Sequence, residues 1–153
     1  MPDKATVNRA KKDLREGKSP STAAGEFVRE EMEHIREGEH GARSTKQAIA
    51  IGLSKARRAG VPLKTPKKEQ ASARTRRSAK QDLEVGQKER KPRAPSKKRS
   101  KATLGALKRE GHQAASKQAL SAQARTAARK RKAASKQGRT AKAKTTARKR
   151  QGP

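Results

Sequence analysis

The chain has 153 residues, 43 Lys or Arg against 14 Asp or Glu, and a formal net charge of +29. Leu, Ile, Val and Phe number only 15, while alanine supplies 27 residues, so little apolar surface is on hand to offset the entropy of ordering. Aromatic residues are 1% and cysteine is absent, which argues against base-stacking single-strand readers, disulfide scaffolds and Cys-ligated metal sites.

Charge divides the chain into three. Residues 1–40 carry eight basic residues and nine acids; residues 41–89 carry 13 and four; residues 90–153 carry 22 and one, Glu110. Large apolar residues run the other way, with 12 of the 17 Leu, Ile, Val, Phe and Met between Met1 and Leu63. The expected organisation is a helical head over 1–63, a basic helix or linker over 64–89, and a low-complexity basic tail over 90–153.

Three helices are predicted in the head. Asp3 caps the first, whose face carries Val7, Ala10 and Leu14 and which stops near Gly17. Ser19-Pro20 opens the second, with Ala24, Phe27, Val28, Met32 and Ile35 at helical period, ending at Gly38. Ser44 with Gln47 forms a capping box for the third, with Ala48, Ile49, Leu53 and Ala56 apolar and Gly60-Val61-Pro62 as the stop. Packing the second helix on the third, with the first across them, gives a small core that calls for support by homodimerisation or ligand-coupled folding. A fourth helix is predicted from Thr65-Pro66 to about Val85, and Lys91-Pro92-Arg93-Ala94-Pro95 breaks it from the tail. No segment alternates as a strand, so the fold class is all-α, with a basic arm that is helical or disordered by context.

The tail contains a repeat. Ala114–Lys132 reads AASKQALSAQARTAARKRK and Ala133–Gln151 reads AASKQGRTAKAKTTARKRQ, identical at 12 of 19 positions. Without an apolar stripe the copies cannot stack as a solenoid, whereas repeated charge matches a surface that repeats, such as phosphate along a duplex. The nucleic-acid-binding candidates are Lys46, Lys55, Arg57 and Arg58 on the third helix, Arg74, Arg76 and Arg77 on the fourth, Lys97, Lys98 and Arg99, and the two repeat clusters Arg129, Lys130, Arg131, Lys132 and Arg148, Lys149, Arg150. The segment Ala48–Ser54 echoes the turn of a helix-turn-helix, but Gly60 leaves under two turns for a recognition helix, so one amphipathic helix with a packing glycine is the preferred reading.

From Glu26 to Glu39 there are six glutamates and two arginines, read as a solvated face, with an internal decoy for the tail or a dock for a basic partner as the sharper option. His34 and His40 sit among these acids at a spacing that matches no ligand pattern, so no metal or other cofactor is expected. The carboxylates cluster on one helix rather than across a cleft, and no Gly-rich phosphate loop follows a strand, so no enzyme is expected. No apolar run approaches a membrane span and the opening MPDKATVNRA lacks a signal-peptide core, so the expected location is cytoplasmic and nucleoid-associated.

Residues 17–62 read GKSPSTAAGEFVREEMEHIREGEHGARSTKQAIAIGLSKARRAGVP. This stretch resembles a group of small basic bacterial proteins built around EFV-x-EE-x-EH-x-x-x-G-x-HGA-x-S-x-KQAIAIGLS-x-ARRAGV, some of which are labelled plasmid stabilisation proteins. The tail is similar in composition to bacterial linker-histone-like tails. The resemblance implies a bacterial origin and a part in DNA maintenance, and it assigns no binding or catalytic residue. The expectation is non-sequence-specific binding and compaction of double-stranded DNA. Binding to structured RNA or the ribosome is the alternative, and a hydrophilic stress protectant is the alternative from a different class.

Overall fold

Helix boundaries follow from local capping chemistry, and the side chains left facing inward decide how the helices meet. The computed structural model describes the backbone of residues 2–150 apart from Arg93 and Pro95, and side chains as far as Ser135. Among the described residues it is all-α: α1 (Lys4–Arg15), α2 (Pro20–Glu37), α3 (Thr45–Arg58), α4 (Ala73–Gly86), α5 (Lys97–Arg109), a 3-10 turn (Gln113–Ala115) and α6 (Lys117–Arg150). Residues 1–116 form one compact unit and residues 117–153 a second.

In the first unit α1 packs on α2, α2 on α3 and α3 on α4, while the 3-10 turn touches both α2 and α3. Ser19 Oγ accepts from Thr22 N at 3.2 Å with Pro20 opening α2, and Ser44 Oγ accepts from Gln47 N at 3.3 Å at the start of α3. The reciprocal half of that second cap is displaced by one residue, because Gln47 Oε1 accepts from Arg43 N at 3.1 Å rather than from Ser44. Asp3 occupies the N-cap of α1, but its side chain makes no capping bond; its backbone N–H donates to Glu30 Oε2 at 3.3 Å instead. Gly38 ends α2 at φ +84°, a left-handed conformation that costs glycine nothing, and the chain turns back on itself there.

The core is mostly alanine. Ala10, Ala23, Ala24, Phe27, Ala56, Val61 and Leu63 form one buried cluster, with Val7, Leu14, Leu53 and Ala59 against it. Small residues set how closely the helices approach. At Gly52 a Cβ would lie 2.8 Å from Val28 Cα, and at Gly86 it would run into the Arg57 carbonyl. The Ala48–Ser54 segment therefore lies inside a single helix and its glycine is a packing contact.

The fourth helix starts later than predicted. Val61 and Leu63 are buried in the cluster, the chain passes without helix through a turn at 68–70, and helix resumes only after Ser72 Oγ accepts from Thr75 N at 3.2 Å. Helix α4 then docks through Ala79 and Gly86, which is why it needs no large apolar stripe. Lys91, Pro92 and Ala94 are non-helical, as expected of the breaker; Arg93 and Pro95 lie outside the described residues.

Past α5 the chain returns to the head. Gly41 N donates to Leu107 O at 2.9 Å and Ala42 N to Gly111 O at 3.2 Å. Thr45 Oγ1 donates to Ala114 O at 2.7 Å, Arg36 Nε to Ala115 O at 2.9 Å, and both alanines are buried. The identical pentapeptides AASKQ at 114–118 and 133–137 consequently differ: the first opens with a docked 3-10 turn, and the second is continuous helix. In the second unit α6 spans 34 residues, a helix about 51 Å long at ~1.5 Å per residue.

Two glycine substitutions should act in opposite directions. Gly52→Ala forces backbone apart and is expected to lower the thermal midpoint, overpacking of this kind costing about 1–3 kcal/mol. Gly25→Ala, on the exposed side of α2 with open space around its Cβ, is expected to raise stability by about 0.5–1 kcal/mol through helix propensity. Circular dichroism melts of both variants give the signs.

Candidate nucleic-acid interface

The basic side chains fall into two groups, those engaged inside the head and those left facing water. Lys55 belongs to the first. Its Nζ lies 2.7 Å from Glu31 Oε2 and 3.4 Å from Glu30 Oε1, with the two glutamates almost fully buried. Arg57 also turns inward, 6% exposed, donating long bonds to the carbonyls of Leu53 (3.5 Å) and Lys64 (3.3 Å) while its Nε has no partner. Burial pushes its guanidinium pKa down, offset in part by the nearby Asp82 carboxylate. Two of the four basic candidates on the third helix are thus turned to the protein: Lys55 to buried carboxylates, and Arg57 to the Leu53 and Lys64 carbonyls.

The expectation for the acidic helix is corrected. Glu30 and Glu31 are not a solvated face, because α2 presents them to α3 and Lys55 sits between them. Glu26 pairs with Arg9 at 2.6 Å and Glu33 with Arg29 at 3.3 Å. Arg58 is exposed but bonds Asp82 Oδ1 at 2.8 Å through Nε and Ser54 Oγ at 2.7 Å through Nη2. Arg76 is half-buried with Nε unpartnered. Arg57 and Arg74 line one cleft of about 310 Å³ between α3 and α4, together with Ser54, Ser78 and Asp82.

The second group is exposed: Lys46 on α3, Arg74 and Arg77 on α4, Lys97, Lys98 and Arg99 on α5, and Arg129, Lys130, Arg131 and Lys132 on α6. The side chains of Arg148, Lys149 and Arg150 lie outside the described residues. Ion pairs between described residues fall between Asp3 and Arg90, so ten of the 14 acids are paired in and around the head. Helix α5 opens with Lys97, Lys98 and Arg99 and has no side-chain cap, which places three cations at the positive end of its dipole. On α6 four consecutive cations at about 100° per residue encircle the helix rather than forming one stripe. Lys101, Lys108, Arg109, Lys117 and Arg125 are exposed in the same way, and charge is their signal in the sequence.

Residues 15–69 match the model of a family of unknown function, DUF6496. The match takes in α2, α3 and the buried Glu30–Glu31–Lys55 group and ends before α4. No curated protein and no solved structure matches the chain. Among the described residues, no helix is long and apolar enough to cross a membrane.

Substitutions on α3 should separate the two groups. Lys55→Met leaves two buried carboxylates without their ammonium and is expected to destabilise the head by about 3–5 kcal/mol. Lys46→Met, at an exposed position, is expected to stay within about 0.5 kcal/mol. Denaturant midpoints measure both. An unchanged midpoint for Lys55→Met together with weakened nucleic-acid affinity would return Lys55 to the binding surface.

Proposed function

We propose that the chain binds double-stranded DNA without sequence preference and compacts it, in plasmid or nucleoid maintenance, with the helical head as a platform and the basic helices as the binding element. The observation that carries this reading is the separation of charge: 13 of the 14 acids lie before residue 90, and the tail holds 22 cations against one acid. Helix α6 alone holds 13 Lys or Arg and no acid in its 34 residues. A duplex of the same length, about 51 Å, presents roughly 30 phosphates at one charge per ~1.7 Å. Binding gains free energy by releasing cations condensed on those phosphates, a term that carries no base identity. Cations on all sides of the helix can meet phosphates of more than one duplex, and bridging of that kind draws DNA together. The same charges repel one another in the free chain, so neutralisation by phosphate also favours the helical state of an alanine-rich segment.

The near-absence of aromatic residues weighs against unpaired bases as the target, since stacking platforms are missing. Structured RNA offers the same phosphate term, and competition distinguishes it from DNA.

The test is a salt series on the full chain with several unrelated duplexes and a structured RNA. With about ten simultaneous phosphate contacts, the log–log slope of affinity against salt should be about −9 on B-DNA, alike for every duplex. Replacing Arg129, Lys130, Arg131 and Lys132 together by glutamine should make it shallower by at most about four. A slope near zero removes this mechanism. A preference of about 10³-fold for one duplex reassigns the protein to sequence-specific binding, and tighter binding to the RNA than to any duplex moves the target to RNA.

A further inference from the structure

The end of α2 brings together side chains that the sequence keeps apart. Glu31 and His34 stand three residues apart, on one face of the helix. Gly38 then reverses the chain, so that His40 folds back over the same face, with its ring edge-on to His34 at 6.4 Å between centroids. One ligand atom from each of Glu31, His34 and His40 lies within 4.8 Å of the others.

Three observations give this cluster a chemical direction. Glu31 is fully buried, and neither carboxylate oxygen has a hydrogen-bond partner; Lys55 supplies an ion pair to Oε2 only. The other oxygen, Oε1, faces His40 Nε2 at 3.4 Å. The His40 Nδ1 lies 3.1 Å from the Gly41 carbonyl, which can only accept, so Nδ1 carries the proton. With Nδ1 so engaged, Nε2 is the ring nitrogen left on the Glu31 side, 3.4 Å from Oε1. A backbone carbonyl that fixes the tautomer of a histidine is also the support that metal-bound imidazoles ordinarily have. Lys55 serves two buried carboxylates, Glu30 and Glu31, with one ammonium.

We propose that Glu31, His34 and His40 form a binding site for a divalent transition-metal ion such as Zn²⁺. Two imidazoles and one carboxylate suit zinc, cobalt or nickel far better than magnesium or calcium, which take oxygen ligands. Zinc would draw the three donors, which lie within 4.8 Å of one another, in to bonds of ~2.0–2.2 Å, with water completing the shell. Asp3, Glu30 and His34 form an overlapping group, but Asp3 is exposed and Glu30 already accepts from Asp3 N and Lys55. The ion would tie the 38–42 turn to α2. That turn is where Gly41 and Ala42 hold the carbonyls of Leu107 and Gly111, so metal binding would fix the seat of the segment leading into the basic tail.

The test uses the untagged full chain, freed of nucleic acid, and the metal ion alone. Titration with Co²⁺ should give a saturable visible spectrum with the intensity of four- or five-coordination, abolished by one equivalent of Zn²⁺. In ring-nitrogen NMR of the unsubstituted chain, Zn²⁺ should shift His34 and His40 and leave His112 in place. Glu31→Gln and His40→Gln should each weaken binding by at least about tenfold, with His112→Gln unchanged. A weak six-coordinate spectrum that rises without saturating, or shifts at His112 equal to those at His34 and His40, overturns the proposal. The NMR readout decides it even where a substitution unfolds the head, and a His40 ring protonated at both nitrogens and indifferent to Zn²⁺ makes the contact to Glu31 a simple ion pair.

Discussion

Electroneutrality is the constraint on which this structure depends. Forty-three cations and 14 acids cannot all be condensed into one body, since bringing like charges together without counter-charge costs more than an alanine-rich core returns. The chain folds compactly where acids are available. Glu26 meets Arg9, Asp82 meets Arg58, Glu84 meets Arg90, and the buried pair Glu30 and Glu31 meets Lys55. Past Arg90 one acid, Glu110, remains, and the chain there forms α5, the 3-10 turn and the 34-residue helix α6.

The buried ionic group between α2 and α3 has a cost and a use. Taking Glu30, Glu31 and Lys55 out of water is expensive, and an apolar replacement of similar volume would often be at least as stable. What the group supplies is position. It sets α2 against α3 at one register beside the Gly52 contact, and it does so next to the turn that receives the 107–115 segment. A core in which Phe27 is the only aromatic ring has few shape constraints of its own; polar groups that tolerate only one arrangement make up for that.

Local chemistry was legible in the sequence and long-range partnership was not. Ser19-Pro20, Ser44 and Gly38 mark helix ends because their bonds close within four residues, and Phe27 and Ile35 stand out through periodicity. The burial of Glu30 and Glu31 could not be read, because glutamate in a helix ordinarily faces water, and its partner lies 24 or 25 positions away. Arg57 reads as a surface cation until the chain beyond α3 brings the Lys64 carbonyl to it. The delayed start of α4 at Ser72 depends on Val61 and Leu63 being anchored, a tertiary effect that overrides the Thr65-Pro66 signal. Ala114-Ala115 and Ala133-Ala134 are the same letters in the same repeat, and only the reach of Thr45 and Arg36 distinguishes them. His34 and His40 match no helical ligand spacing because a left-handed glycine, not helix geometry, brings them together.

The central claim is that phosphate is met by the basic helices and not by the faces of the head. Hydrogen–deuterium exchange of the full chain, with and without duplex DNA, reads this residue by residue. The account predicts new protection along 97–109 and 117–150, where binding neutralises the helices, with exchange in α2 and α3 unaltered. Protection concentrated on α2 and α3, with the basic helices exchanging as in the free chain, would contradict it.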